Sequence, residues 1–540
     1  MCGIAGFFSL HQYKEDFYID HIKKMINSLS HRGPDDSGFW VDVKQKIVLG
    51  HRRLSILDLK PTGHQPMESS QGRFVIIYNG EIYNYLDLKQ QLDEEIATKW
   101  RGHSDTEILL RGFEHWGIKN TLDKACGMFA FAVFDKQTKK LVLARDRIGQ
   151  KPLYYGWFQD IFFFGSELKI LTSAVKDRPE IDMKALDAYF RYGYIPAPYC
   201  IFQNFAKILP GSYVEINTNK FTPATTIIAN KYWQAKDYFT SQYKNTLSIF
   251  EAQNKLEEIL EQVLKQTVLS DVPVGAFLSG GIDSSLVVAL MQKINSGKTK
   301  TFTIGFHENE FNEADHALKV AQHLNTDHTE FYFPSQKALD IIPKLPQIYD
   351  EPFADMSQLP TILVSSLARS KVTVALSGDG GDELFAGYRR YKMAKLLLNF
   401  RGLLPTGVNK ILSKIILSMP NLSDYDNYIL KKLGITKFWH LGRRAAKVLT
   451  SSSDKIYESI ISMHPLDEEL LQKGLWNDNM QNIHNLQDFD SINKMMYADM
   501  MSYLPDDIMV KVDRAAMSVS LETRAPLLDR RVMELSLIHI

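Results

Sequence analysis

The sequence predicts two domains in tandem: an α+β domain of antiparallel sheets layered with helices, then an α/β domain with a doubly wound parallel sheet and a helical C-terminal part. Three observations predict this. A chain of 540 residues exceeds what one core ordinarily organises. Before Pro210-Gly211, short apolar runs alternate with tight turns, as in antiparallel sheets. After Ile249, strands alternate with loops and helices, as in parallel ones.

Each element follows from a local pattern. Positions 73–78 (RFVIIY) form a short apolar strand that stops at Asn79-Gly80, a dipeptide that signals a turn. Positions 128–135 and 140–145, joined by 136–139, read as a hairpin, and 160–165 (DIFFFG) as a further strand. Helices fit 20–30 and 105–116. The stretch 217–245, rich in Thr, Asn, Lys and Tyr, has weak periodicity and reads as a surface connection. The expected division is therefore 1–211, 212–248 and 249–540. A helical pattern starts at Ile249. A strand at 274–278 leads into 279–285 (SGGIDSS) and a helix from about Leu286. A second strand at 300–305 precedes a helix at 313–324. A third, at 372–376, runs into 377–383 (SGDGGDE), and from Tyr388 the pattern is largely helical. Positions 530–540 stay apolar-periodic to Ile540 without a C-cap glycine, which reads as a helix cut in its middle.

Composition narrows the function classes. Lys+Arg and Asp+Glu both number 63, so no global field favours nucleic acid or a membrane surface. The N-terminus lacks a signal-peptide pattern and no run is long and apolar enough to span a bilayer, so a cytoplasmic location is the default. Three cysteines, Cys2, Cys126 and Cys200, support neither a disulfide framework nor a Cys-rich zinc site. Cys126 and Cys200 lie in apolar sequence and read as inert core thiols.

Cys2 is different. Loss of the initiator Met would give it a free α-amine, and an amine with a pKa near ~7.7–8 can take the thiol proton, so one residue would supply nucleophile and base. Around it stand the motifs MCGIAGF (1–7), HRGPD (31–35), RLSIL (53–57), NGEIY (79–83) and GHSDTE (102–107). In this order they resemble the class II glutaminase domain, an N-terminal-nucleophile fold. The resemblance implies that Asn79 and Gly80 serve the oxyanion, that Arg53 and Asp105 hold the α-carboxylate and α-amine of glutamine, and that Glu81 belongs to the same loop. A guanidinium fork suits a carboxylate and an aspartate suits an ammonium. Plainer roles exist for each: a simple Asn-Gly turn, a surface charge at Arg53, and a helix N-cap at Asp105 with Ser104 as competitor.

In the second half, SGGIDSS follows a strand and opens a helix. Its glycines let backbone amides turn toward a phosphate, and Ser279, Ser284 and Ser285 add hydroxyls. No Gly-Lys-Ser/Thr is present, so this is not a Walker A loop. Two acidic loops at one sheet edge suit a Mg²⁺–triphosphate, and Asp283 and Asp382 are the expected Mg²⁺ ligands. The motif resembles the SGGxDSS loop of ATP pyrophosphatases. That likeness implies an ATP site of Leu278, Ser279, Gly280, Gly281, Asp283, Ser284, Ser285, Ile304, Ser377 and Gly378, with Asp379 important for acyl-adenylate formation. Leu278 and Ile304 are equally well explained as core residues. Positions 506–529 resemble the DRxxM…E…RxPxLD segment of the same enzymes; Asp513, Arg514, Glu522 and Arg524 shape the acceptor side or form a buried ion-pair network.

Nearly the whole chain thus resembles the asparagine synthetase family, whose members usually continue past the position of Ile540 and carry a lysine there. The resemblance implies a carbon–nitrogen ligase that takes ammonia from glutamine, activates aspartate with ATP and Mg²⁺, and releases AMP and pyrophosphate. An alternative acceptor is another carboxylate, for example in surface-polysaccharide biosynthesis; a non-catalytic descendant is a third possibility. The expected partners are these small molecules, with no nucleic acid and no membrane, and a homodimer is left open.

Overall fold

The computed structural model describes residues 1–97, 99–238, 247–305, 313–403, 405–418, 446, 456–463 and 490–539. Position 540, the 239–246 part of the expected connection and, within the stretch expected to be helical after Tyr388, positions 404, 419–445, 447–455 and 464–489 lie outside these residues. The N-terminal half contributes β1 (Gly3–Ser9), β2 (Asp36–Asp42), β3 (Ile47–Arg53), β4 (Met67–Glu68), β5 (Phe74–Ile82), β6 (Gly127–Asp135), β7 (Lys140–Arg145), β8 (Tyr154–Phe158), β9 (Ile161–Gly165), β10 (Phe205–Lys207), β11 (Ser212–Asn217) and β12 (Asn230–Lys231). They form two antiparallel six-stranded sheets, ordered β10-β8-β9-β1-β3-β2 and β12-β11-β7-β6-β5-β4.

Side chains alternate across a strand, and here both faces of each sheet are covered. Ile4, Phe8, Leu49, Val75, Ile77, Ala130 and Ala132 meet between the sheets. On the outside of the first sheet, Phe7 and Val48 pack against Tyr18, Ile22 and Met25 of the helix Glu15–Ser28. On the outside of the second, Ile76, Tyr78 and Phe131 pack against Leu109 and Phe113 of the helix Asp105–His115. The result is a helix–sheet–sheet–helix sandwich.

Several sequence expectations shift. Asn79-Gly80 is not a turn: β5 continues through it, pairing Asn79 with Ala130 and Gly80 with Phe129. The glycine serves close approach instead, since a Cβ there would lie 2.2 Å from the Met128 carbonyl oxygen. The N-terminal helix starts at Glu15, where Glu15 and Asp16 favour the positive helix end. The segment from 212 is not mere connection, because β11 and β12 extend the second sheet and Val214, Ile216 and Phe221 enter the inter-sheet core. Cys200 is buried as expected, whereas Cys126 is partly exposed.

The second half builds a parallel sheet from β13 (Val274–Phe277), β14 (Lys300–Gly305), β15 (Asp327–Tyr332), β16 (Val374–Leu376) and β17 (Glu522–Arg524), ordered β15-β14-β13-β16-β17. Strand β17 was hidden inside a stretch read for its charges. Ala276, Val374 and Leu376 face the helices Ile249–Thr267 and Ile282–Ile294, while Phe302 and Ala375 face the helices Gln358–Arg369 and Met509–Met517. The strand order reverses direction at β13, between β14 and β16, which is where ligands bind in open α/β sheets. The C-terminal helix spans Arg530–His539.

The two halves are joined by buried charge pairs. Arg32 donates to Asp513 at 2.8 and 3.0 Å, Arg514 lies 2.7 Å from Glu167, and Lys151 lies 3.6 Å from Asp513. The acceptor-side role considered for Asp513, Arg514, Glu522 and Arg524 gives way to the ion-pair network. Burial opposes ionisation of Asp513, but Arg32 and Lys151 outweigh it and hold its carboxyl below the usual range. Asp513→Ala, which leaves buried Lys151 unpaired and Arg32 with Glu167 alone, is expected to cost about 3–5 kcal/mol in urea unfolding at pH 7. Because the folded pKa is depressed, this stabilisation is full above the unfolded value of ~3.9. It disappears as pH falls through the folded value, so wild type and variant should converge in acid.

Candidate functional site

Cys2 directly precedes β1, and its position is fixed by Asn79, Arg32 and Leu54 of its own domain. Its backbone nitrogen donates to Asn79 Oδ1 at 2.9 Å, and its carbonyl accepts from Arg32 Nε at 3.0 Å. The Sγ atom lies 3.9 Å from the Leu54 carbonyl oxygen, and burial pushes the thiol pKa up. Asn79 is fully buried, and its Nδ2 amide has no hydrogen-bond partner among the described residues. A buried donor without an acceptor is costly, and such a group beside a nucleophile marks a place where charge can be received.

Asp105 stands in the first helical turn, with Ser104 as the N-cap that accepts from Thr106. Its Oδ2 accepts from Tyr78 Oη at 2.8 Å and from the Ile82 amide at 2.9 Å, and burial pushes its pKa up to about 6. Glu81 lies 3.5 Å from Arg524, yet burial, then the Glu522 charge, raise its carboxyl well above the usual range. Arg53 is no solvated charge: it donates to the carbonyls of Leu57, Asp58 and Lys60, shaping the loop that follows β3. Asn79, Gly80, Glu81 and Asp105 therefore come together with Cys2, while the Arg53 guanidinium is largely committed to backbone.

Met1 occupies the interdomain core with Leu54, Ile56, Tyr83, Met128 and Ile148, and its ammonium lies 3.0 Å from Glu522 Oε2. With Met1 in place, the Cys2 nitrogen is a peptide amide and stands where the free amine would be.

The second group of residues gathers where β13 and β16 end side by side. Leu278 is a buried core residue whose amide donates to the Phe302 carbonyl at 3.0 Å, while Ile304 is half-buried. The helix begins at Ile282, earlier than expected, so Asp283, Ser284 and Ser285 form its first turn. Ser279 Oγ lies 3.0 Å from Ser284 Oγ and accepts from the Gly281 amide at 3.3 Å. The hydroxyl oxygens of Ser285 and Ser377 are buried without partners among the described residues. The two loops touch: a Cβ on Gly378 would lie 2.6 Å from the Ser284 nitrogen, and one on Gly381 would lie 2.3 Å from the Asp283 carboxylate. Burial first, then Asp382 and Asp379, raise the pKa of Asp283. Among the described residues no three His, Cys, Asp or Glu side chains converge as a complete metal site.

Sequence reasoning missed Asp355, Asp507 and Lys511, which lie beside this edge. Lys511 Nζ contacts Asp355 Oδ2 and Ser357 Oγ, both at 3.0 Å. Their signal was present in the adjacent Asp506-Asp507 pair and in a lysine on an otherwise buried helix.

Comparison with known proteins identifies the two halves. Residues 1–233 match the glutamine amidotransferase domain family, and residues 255–538 match the asparagine synthase family. A Methanocaldococcus jannaschii protein provisionally named asparagine synthetase [glutamine-hydrolyzing] 2 is 34% identical, over 96% of this chain and 98% of its own length. The chain belongs to the asparagine synthase family. Asparagine synthetase [glutamine-hydrolyzing] 1 of Bacillus subtilis is 32% identical over 99% of this chain and 80% of its own. This family member is therefore a carbon–nitrogen ligase with a glutamine amidotransferase domain. Among solved structures, the B. subtilis glutamine phosphoribosylpyrophosphate amidotransferase in complex with ADP and GMP aligns at a TM-score of 0.31 and 15% identity, covering 63% of this chain and 70% of its own. No helix of the described residues is long and apolar enough to cross a membrane.

The loop contact gives a stability prediction. Gly378→Ala forces a Cβ into the Ser284 backbone and should cost about 1–3 kcal/mol. Gly281→Ala meets only Ser279 Oγ, at 3.3 Å, and should cost less. Urea unfolding of the two variants checks the order.

Proposed function

We propose that this enzyme is a glutamine-hydrolysing asparagine synthetase in which Cys2, freed by loss of Met1, supplies ammonia that amidates aspartate. The observation behind this reading is Asn79: one amide oxygen fixes the Cys2 nitrogen and the buried, unpartnered Nδ2 is left for an oxyanion. The Cys2 amine takes the thiol proton, and the thiolate attacks the glutamine side-chain amide. Collapse of the tetrahedral intermediate returns a proton to the leaving nitrogen and gives a thioester and ammonia. Water then releases glutamate. Asp105, with Glu81 nearby, holds the glutamine amine; Arg53 acts chiefly by shaping the loop that faces the carboxylate.

In the second domain, the amides and hydroxyls of 279–285, with Ser377 and Gly378, cradle ATP. Leu278 and Ile304 bound the nucleotide side. Asp283 and Asp382, on different loops, would hold Mg²⁺. They fit it, because Asp283 carries an uncompensated charge beside Asp379 and Asp382, and Mg²⁺ completes its shell with water and phosphate oxygens. The ion supplies charge compensation for the triphosphate. The acceptor carboxylate attacks the α-phosphate, pyrophosphate leaves, and ammonia displaces AMP from the acyl-adenylate. Asp379, whose charge acts on both Asp283 and Lys511, can orient the acceptor.

Transfer of ammonia between the sites is supported by two interdomain cavities that share Gln150. One, of about 10 Å³, touches Tyr83 and Gly127; the other, also of about 10 Å³, reaches Ser377. Departure of Met1 would add apolar space next to Cys2. An apolar passage favours neutral ammonia over ammonium, whose desolvation is costly.

Cys2→Ala should abolish glutamine-dependent asparagine formation and spare the ammonium-dependent reaction, read as asparagine, AMP and pyrophosphate. Absence of all three products with both nitrogen donors would refute this function. Blocking methionine removal during expression should suppress glutamate release to background, with Met1 retention confirmed by mass spectrometry. Asp105 must be ionised to hold an ammonium and its folded pKa is about 6. Glutamine kcat/KM should therefore fall about tenfold per pH unit below that value, and Asp105→Asn should be uniformly poor across the range.

A further inference from the structure

We infer that Asp271, a residue of the synthetase half, is a positioning residue for the glutamine site. It holds the loop that Arg53 shapes, so the first domain binds glutamine fully only with the second domain docked on it. This inference rests on the glutaminase reading above and adds to it a residue from the other domain.

The synthetase half grips the glutaminase half at several points. Residues Leu504–Ile508 form a single π-turn, and there Asp506 accepts from the Ala197 amide at 2.7 Å. Asp271 grips the loop that follows β3. Its amide donates to the Ile56 carbonyl at 2.9 Å, and its Oδ2 accepts from the Asp58 amide at 2.9 Å. The same oxygen accepts from His103 Nε2 at 2.8 Å. His103 stands two positions before Asp105. One side chain of the second domain thus reaches both segments assigned to the head group of glutamine.

The loop needs holding because of Asp58. This residue has φ +56°, a left-handed conformation that a side chain other than glycine keeps only where its surroundings fix it. Asp58 is fully buried. Its carboxylate accepts from the Thr62 hydroxyl at 2.8 Å and from the His103 amide at 3.1 Å, and its carbonyl accepts from Arg53 Nη2. Among the described residues, Asp271 is what accepts from its amide. Removing that acceptor strands a buried N–H, and the least costly relief is a shift of the loop. Arg53, which donates to the Leu57, Asp58 and Lys60 carbonyls, would shift with it. The His103–Asp271 pair is exposed on both sides and is worth little by itself. The Asp58 amide therefore carries the effect.

Asp271 is itself presented rigidly. It lies between the helix Ile249–Thr267 and β13. Arg524 Nη1 donates to the Thr267 and Leu269 carbonyls at 2.6 and 2.8 Å, and Ser270 Oγ accepts from the Val272 amide at 3.1 Å. Strand β13 begins three positions later and runs into the 279–285 loop. The grip on the glutamine loop is thereby anchored to the strand that carries the proposed ATP loop.

Steady-state kinetics on the full chain, with Met1 removed, test the assignment. Asp271→Ala should raise the KM for glutamine at least about tenfold in glutamate release and change kcat by less than about threefold, since the loop faces the α-carboxylate and not the reacting amide. Asp271→Asn, whose amide oxygen still accepts from Asp58, should keep KM within about threefold of wild type. Ammonium-dependent synthesis should be equal in all three proteins, which a disrupted domain interface would not allow. Hydrogen exchange read by mass spectrometry should be faster over 54–63 in Asp271→Ala and unchanged in Asp271→Asn. An unchanged glutamine KM in Asp271→Ala, a parallel loss of the ammonium reaction, or an Asp271→Asn as impaired as Asp271→Ala overturns the inference. No glutamate release from wild type refutes the glutaminase function instead, and the exchange measurement then decides whether Asp271 holds the loop.

Discussion

Arg32 ties Cys2 of one domain to the other domain. Its guanidinium reaches the Cys2 carbonyl with one nitrogen and the Asp513 carboxylate with two. All three residues are buried, so the contact is screened little by water and demands exact packing of both halves. Asp513 sits on the helix that also carries Lys511, so the backbone at Cys2 and the Asp355–Lys511 pair are held by one rigid element. The glutaminase core and the parallel sheet are thereby set in register through a few charged groups.

Much of this was legible in the sequence because the sites are built from contiguous motifs. The SGGIDSS and SGDGGDE loops each follow a strand, and neighbouring parallel strands bring them together without long-range guesswork. Cys2 and Asp105 were legible as candidates because their residue types suit the proposed chemistry. The Asn79-Gly80 step was not: the dipeptide has turn propensity, and only a long strand pairing with β6, itself set by residues 127–135, overrides it. Strand β17 was hidden for a related reason. Its residues are charged because they face the domain boundary, and charge in a short strand masks the apolar signal that would reveal it.

The Asp355–Lys511 pair escaped the sequence for a different reason. Asp355 and Lys511 lie 156 positions apart, and nothing local links them. Their meeting depends on the packing of two helices against the far side of the sheet. Sites assembled from motifs can be read along a chain, whereas sites assembled from packing can be read only in three dimensions. The same holds for the Arg32–Asp513 pair, separated by 481 positions.

The π-turn at Leu504–Ile508 has a consequence for how such a protein can change over time. A widened turn holds one residue more than an α-turn, and losing that residue would rotate the following helix by roughly 100°. Lys511 would then leave Asp355, and Asp513 and Arg514 would leave Arg32 and Glu167. Both sets of ion pairs would fail in one deletion, although no named side chain had been altered. Length at this point is therefore constrained more tightly than identity, and descendants of this chain can vary the residues of the turn far more readily than their number.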